Sequence, residues 1–326
     1  MEDEISPATN DSSSPRLQAL RTFSARMCTE IRLGPLVWDE SDPDLRALTI
    51  NNCVRRQRDA IEGAIALGDA RQAHLAVAFV RAFLEERMWA IFLASMTHSE
   101  ANALLLAMGL WDAQRALIAQ RDYIGNLDMT LHLWFPPGFV DAHAAATLDD
   151  RKTELRQLRD RWGWQGALPS PKWVAEQTSL LKEYEYLHSA TSRALHFSAG
   201  EVLRRGWGTP GGFLVTDKRE FREHLAEFAY DQLWRQHLGT IVGAADILGD
   251  AAISVPDGFF SEENRIKLIS ELQNLGRVPL VHAHEWNLTP PPPGTRIAWA
   301  AVMLAQSADA GLDEASDTGG PASQAT

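Results

Sequence analysis

The run Tyr184-Glu-Tyr-Leu-His-Ser-Ala-Thr-Ser-Arg-Ala-Leu-His-Phe-Ser198 crowds hydroxyls, imidazoles and a guanidinium into one short stretch. Wound as a helix, it places Leu187, Ala190, Thr191, Ala194 and Leu195 in an apolar stripe. His188, Ser192 and His196 step by four and share another face. Arg193 lies three before His196 and neighbours it. Such a set could protonate a leaving group while the guanidinium holds an anionic phosphate. The same residue types also suit a plainer task, because Ser, Thr and His inside a helical bundle hydrogen-bond the neighbouring helices. A metal ion shared by His188 and His196 is excluded, since eight residues of helix separate them by about 12 Å.

Arg81 and Glu85 are the second feature. They stand four apart in a strongly apolar stretch, where charges persist only when paired. One reading is a structural ion pair. The sharper one brings Arg81 and Glu85 across to the Arg193/His196 region, where a carboxylate would orient the imidazole and raise its pKa. On that reading Arg193, His196 and Glu85 are the expected catalytic groups, and Arg81, Tyr184 and Ser192 the expected binding contacts. His282 and His284 would share one face of a strand, but no further ligand is specified. Neither a metal nor another cofactor is expected. Trp162, Trp164 and Trp173 lie close together and read as core packing or a loop clamp.

Helices must position these groups. Apolar residues recur at intervals of three and four, starting with Leu17, Leu20, Phe23, Met27 and Ile31. Ser41-Asp42-Pro43 reads as a helix start with Pro in the first turn, leading to a helix that ends near Gly68. The stretch from Ala70 to Met96 is apolar nearly all round and is expected to be the buried central helix. Thr97-His-Ser-Glu100 has the spacing of a capping box, opening a helix through about Ala119. Residues 123–148 look less regular, with a loop at Pro136-Pro137-Gly138. A charged helix over Asp149–Arg161 is broken by Gly163 and Gly166. Ser170-Pro171 caps the next, which runs to about Leu181. Further helices are expected over Tyr184–Arg205, Asp217–Leu248 and Ser261–Leu275. Gly206 to Gly212 serves as a terminator. Leu280–Trp286 suits a short strand, Pro290–Pro293 an extended linker, and Arg296–Ala305 a last short helix. The fold class is all-α: a multi-helix bundle with a buried central helix and disordered termini. Its expected parts are a tail at 1–15, a helical domain at 16–288, and a linker, short helix and tail at 289–326.

Pro169-Ser-Pro-Lys-Trp-Val-Ala-Glu-Gln177, Tyr184-Glu-Tyr-Leu187, Ala190-Thr-Ser-Arg-Ala-Leu-His-Phe-Ser198, Val202-Leu-Arg-Arg-Gly-Trp-Gly208 and the Arg81-x-x-x-Glu85 pair together carry a resemblance. Over roughly residues 45–245 the chain resembles an uncharacterised bacterial family of helical proteins, a domain of unknown function. That family places His directly before Ala-Thr-Ser-Arg, where this chain has Ser189, so Arg193 and His196 are better placed than His188. The resemblance implies a helical fold and no particular activity. A looser likeness is to HEPN proteins, helical bundles that include metal-independent ribonucleases of toxin and phage-defence systems. Their motif is Arg, four to six residues, then His. Arg193 and His196 depart from it, and Arg219 and His224 fit it. Fold-level likeness sets an expectation and assigns no function.

Composition narrows the classes further. The 326 residues carry a formal net charge of -12, which disfavours sequence-independent binding to DNA. RNA or a nucleotide at a local basic cleft stays open, as do a protein partner and a homo-oligomer. Cys28 and Cys53 form no CxxC pair, and the first fifteen residues are acidic rather than leader-like, so the cytoplasm is the expected compartment. Charge interrupts every apolar stretch before 18 residues, and no membrane span is expected. Two accounts remain: a non-catalytic helical interaction or scaffold protein, or a HEPN-like metal-independent ribonuclease or nucleotide-binding protein.

Overall fold

A computed structural model of the chain describes residues 14–36, 39, 41–146, 152–195, 206–208, 214–216, 219–281, 295 and 297–305. The elements are α1 (Pro15–Glu30), β1 (Arg32–Leu33), α2 (Leu45–Asp69), α3 (Val77–Ala94), α4 (His98–Ile124), α5 (Asn126–Leu133), α6 (Phe139–Ala146), α7 (Lys152–Trp162), α8 (Pro171–Gln177), α9 (Leu181–Leu195), β2 (Gly206–Gly208), β3 (Leu214–Thr216), α10 (Arg219–Gly243), β4 (Ile253–Ser254) and α11 (Glu262–Asn274). The architecture is all-α. One compact unit extends to Leu280; a second starts at Val281 and is helical at residues 297–305. Of the segment expected as a strand, Leu280 and Val281 form a bend; residues 282–286, with His282 and His284, and the proline run at 290–293 lie outside the described residues, as do residues 1–13 and 306–326.

Local chemistry sets the helix ends. Ser14 caps α1, Ser170 accepts from the Trp173 N–H with Pro171 in the first turn of α8, and Ser261 caps α11. Thr97 and Glu100 form the reciprocal capping box at α4. Gly163 and Gly166 take positive φ after α7. Pro43 departs from expectation. Asp44 is the cap of α2, accepting from the Ala47 N–H, so Pro43 stands before the helix instead of inside its first turn. α2 ends at Asp69, beside Gly68 as expected. A Cβ at Gly68 would fall 2.6 Å from the Tyr230 hydroxyl, so the glycine lets α10 approach closely.

The central helix is shorter than its apolar run. Residues 73–76 form a tight 3₁₀ turn, and α3 begins at Val77. Nothing from Val77 to Ala94 is fully exposed. It packs most extensively on α10 and then on α9. Gly239 and Gly243 of α10 make the first contact close: a Cβ at Gly239 would lie 2.6 Å from Arg87 Cζ, and one at Gly243 would lie 2.7 Å from Ile91 Cδ1. Phe92 on α3 meets Trp162 and Trp173 edge-on, with ring centroids 5.3 Å apart in each pair. Trp164 joins through Trp173, so the tryptophan group is core, as expected.

Two short antiparallel ladders were not foreseen. β1 pairs with β4, and β2 pairs with β3. Residues 206–208 therefore begin a β-hairpin, where the glycines had read only as a helix stop. Residues 123–146 are more regular than expected: Gly125 at φ 92 starts α5, Trp134 at φ 61 ends it, and α6 follows the Pro136-Pro137-Gly138 loop.

Arg16 ties α1 to α10 and to the end of α11. Its Nε donates to Glu227 at 2.9 Å, Nη1 reaches Asp231 at 3.4 Å and the Gly276 carbonyl at 3.2 Å, and Nη2 donates to the Leu275 carbonyl at 2.8 Å. The fully buried Asp231 also accepts from Arg235 and from the Val278 N–H. A buried carboxylate needs such a set of donors.

Candidate functional site

The face shared by α3 and α9 holds most of the residues singled out from the sequence. Ser179 at φ 59 turns the chain sharply between α8 and α9. Leu187, Ala190 and Thr191 then face the core, with the Thr191 hydroxyl bonded back to the Leu187 carbonyl at 2.7 Å. His188 and Ser192 fall on the flank beside that stripe.

On α3, Arg81 Nε donates to Glu85 Oε1 at 2.9 Å, and Arg81 Nη1 reaches Ser192 Oγ at 3.4 Å. Ser192 in turn donates to the His188 carbonyl at 2.6 Å. The Tyr184 and His188 rings lie 5.0 Å apart. Burial raises the Tyr184 hydroxyl pKa and Glu85 adds to the rise, while Arg81 and Lys172 oppose it. Arg81, Glu85, Tyr184 and Ser192 thus gather in one place. The Arg81 and Glu85 side chains keep 27% and 33% of their exposure, so the pair is reachable from solvent. The Arg193 side chain and all of His196 lie outside the described residues.

Among the described residues, this geometry joins two helices. The Ser192 hydrogen is committed to a backbone carbonyl, so no side-chain base receives it. The Arg81 charge is matched by Glu85, so an incoming phosphate would have to displace that carboxylate. Among the described residues no group of three His, Cys, Asp or Glu is placed to hold a metal ion. A cavity of about 110 Å³ lies between α5 and the 135–141 segment, and one of about 240 Å³ lies between α4 and α7. Both are smaller than the roughly 300 Å³ at which ligand pockets begin, and neither is lined by Arg81, Glu85, Tyr184 or Ser192.

Two polar networks beneath this face escaped the sequence reading. Arg87 Nη1 lies 3.2 Å from each Glu183 oxygen and 3.1 Å from Gln236 Oε1, and Gln236 donates to Glu183 at 2.6 Å. One guanidinium therefore ties α3, α9 and α10. Deeper in, His237 Nδ1 meets Gln57 Oε1 at 3.1 Å, and Gln57 donates to Thr240 at 3.0 Å. His237 is fully buried, and burial, assisted by Arg58, pushes its pKa down to about 3. A signal was present: Gln232, Gln236 and Thr240 recur at four-residue spacing, on one face of α10.

No family model, curated protein or solved structure matches this chain.

Among the described residues, exposed apolar side chains gather elsewhere, over residues 123–134 and, in the second unit, over residues 297–304. Tyr123 is 92% exposed, Leu127 71%, Leu131 60% and Trp134 86%, with Ile124 and Leu133 also exposed. Leu127, Leu131 and Trp134 recur at i, i+4 and i+7, so they line one side of α5 and its end. Met129 faces inward instead. No helix of the described residues is long and apolar enough to cross a membrane.

Proposed function

We propose that this chain is a non-catalytic helical interaction protein of the cytoplasm. The observation that carries the reading is the apolar ledge from Tyr123 to Trp134. Exposing such side chains costs solubility and returns nothing to folding, and contiguous patches of this kind mark contact surfaces. The α3–α9 cluster is consistent with it, because Arg81, Glu85 and Ser192 bond one another across two helices. Cys28 and Cys53 are both free, in keeping with a reducing compartment. Burial beside Glu86 pushes the Cys53 thiol up to about 12, which makes it inert.

One observation favours the HEPN-like ribonuclease or nucleotide-binding reading: Arg81, Glu85, Tyr184 and Ser192 converge on a half-exposed face. Two measurements separate the readings. Purified chain incubated with single-stranded and structured RNA from acid to alkaline pH should leave the RNA intact. Cleavage that Glu85→Gln abolishes would favour the nuclease. Second, the paired substitution Leu127→Glu/Leu131→Glu should leave the melting temperature unchanged, because a contact surface is not part of the core. A drop of several degrees would mean that the ledge packs within the fold, and the interaction reading would fail.

A further inference from the structure

We infer that His98 is a proton-operated clip: charged, it holds Asp42 against the start of α4, and neutral, it yields that place to Asn102 and lets residues 41–42 go. The inference stands apart from the interaction reading. His98 is the first residue of α4, and the segment it faces leads into α2. Its Nδ1 lies 3.3 Å from Asp44 Oδ2, and its Nε2 lies 3.1 Å from Asp42 Oδ1 and 3.0 Å from Asn102 Nδ2.

The last two neighbours make opposite demands on one nitrogen. The Asp42 carboxylate only accepts, so it needs Nε2 to carry a hydrogen. Asn102 cannot be turned over to accept as well. Its Oδ1 takes the Leu45 N–H at 3.0 Å, and its Nδ2 donates to the Pro43 carbonyl at 2.6 Å. The second Nδ2 hydrogen is left for His98, and it needs Nε2 bare. A single ring nitrogen meets one demand or the other, never both. The imidazolium donates from both nitrogens and bridges Asp42 and Asp44 on either side of Pro43. The neutral ring keeps its Nδ1 hydrogen toward Asp44 and accepts from Asn102. Asp42, 76% exposed, is then a second carboxylate beside Asp44 with the imidazole charge gone.

Among the described residues the other charges nearby are already engaged. Arg46 of α2 lies 4.0 Å from Asp44 and is shared with Asp250 at 3.4 Å. Glu100 of α4 is taken up by Thr97, Trp162 and Arg161, and Asp39 accepts from Ser41. Burial alone would lower the His98 pKa; Asp42 and Asp44 outweigh it and raise the value above 6.5. The clip is therefore closed below pH 6.5 and opens as pH rises through the raised value.

The test is a nuclear magnetic resonance titration of the full chain from about pH 5 to 9. It follows the His98 ring, the Asn102 side-chain amide and the backbone order of Ser41 and Asp42. The Asn102 signals should move with the His98 midpoint, and the order at 41–42 should fall as the ring loses its proton. Asp42→Asn changes an exposed side chain and should lower the midpoint. Asn102→Ala removes the competing donor and should raise it; if a thermal melt shows that variant unfolded, the unchanged chain and Asp42→Asn decide. Asn102 signals that ignore the His98 titration overturn the inference. So does an Asp42→Asn midpoint that stays in place, a folded Asn102→Ala whose midpoint does not rise, or a segment equally ordered at both ends of the range.

Discussion

Replacing His237 with Gln tests the buried polar seam between α2 and α10 most directly. The imidazole is fully buried, and its Nε2 has no hydrogen-bond partner among the described residues. Burial first, and Arg58 second, lower its pKa from 6.5 to about 3. The unfolded chain takes up a proton there near pH 6.5, while the folded chain refuses it until far lower. Stability is therefore complete above the unfolded value and is lost as pH falls, by up to about 1.4 kcal/mol per pH unit. Over the whole window this one group removes about 4–5 kcal/mol, a large share of the roughly 5–15 kcal/mol a domain has. Gln at 237 keeps an amide donor toward Gln57 and cannot titrate. Urea unfolding of both proteins from neutral pH to about pH 4.5 should show their difference moving in favour of the variant by about 2–3 kcal/mol. Other shifted groups cancel in that difference. Glu86 is one, its pKa raised by burial. Glu100 is another, with burial outweighed by its Thr97 and Trp162 hydrogen bonds. Parallel curves over the same window would refute the claim that His237 is sealed and neutral.

Three more outcomes are expected. Gly239→Ala should destabilise by about 1–3 kcal/mol, because its methyl group has to displace Arg87. Gly109→Ala, with open space around it in α4, should stabilise by about 0.5–1 kcal/mol; equal effects in thermal melts would deny the close α3–α10 approach. Thr97→Ala should cost about 1 kcal/mol through loss of the capping box, while a melting temperature equal to that of the unchanged chain would contradict it. His98 lies 3.1 Å from Asp42 and 3.3 Å from Asp44; burial opposes its charge, but the two carboxylates prevail and raise its pKa. That contribution is present below the unfolded value of 6.5 and lost as pH rises through the folded one. His98→Ala should therefore lower the melting temperature in mildly acidic buffer and leave it unchanged in alkaline buffer, and an equal loss in both would count against it.

What the sequence made legible was chiefly local. Thr97-x-x-Glu100, Ser170-Pro171 and the glycines at 163 and 166 act within a few residues of themselves, so spacing alone reveals them. The burial of α3 was legible because nearly every side of it is apolar. The Arg81–Glu85 pair was legible as an i, i+4 relation, and its contact with Ser192 was anticipated only in outline. The Arg87–Glu183–Gln236 junction was not, because its members are far apart in the chain and each is an ordinary surface residue by type. The role of Gly239 and Gly243 was hidden for a related reason: a glycine that makes room looks the same as one that loosens a helix until the neighbour is known. The hairpin of β2 and β3 was missed because glycines that end a helix and glycines that begin a turn share one composition.

Arg16 has a bearing on how the protein is made. Its bond to the Gly276 carbonyl spans 260 residues. At a synthesis rate of about 5–20 residues per second, α1 leaves the ribosome roughly 15–50 s before its last partner exists. During that interval Arg16 and Asp231 lack part of the set that makes their burial tolerable, and the apolar face of α1 is uncovered. Completion of the unit is thus a late, all-chain event of high contact order. A nascent chain halted before Leu275 would present to chaperones an unclosed bundle with its first helix loose.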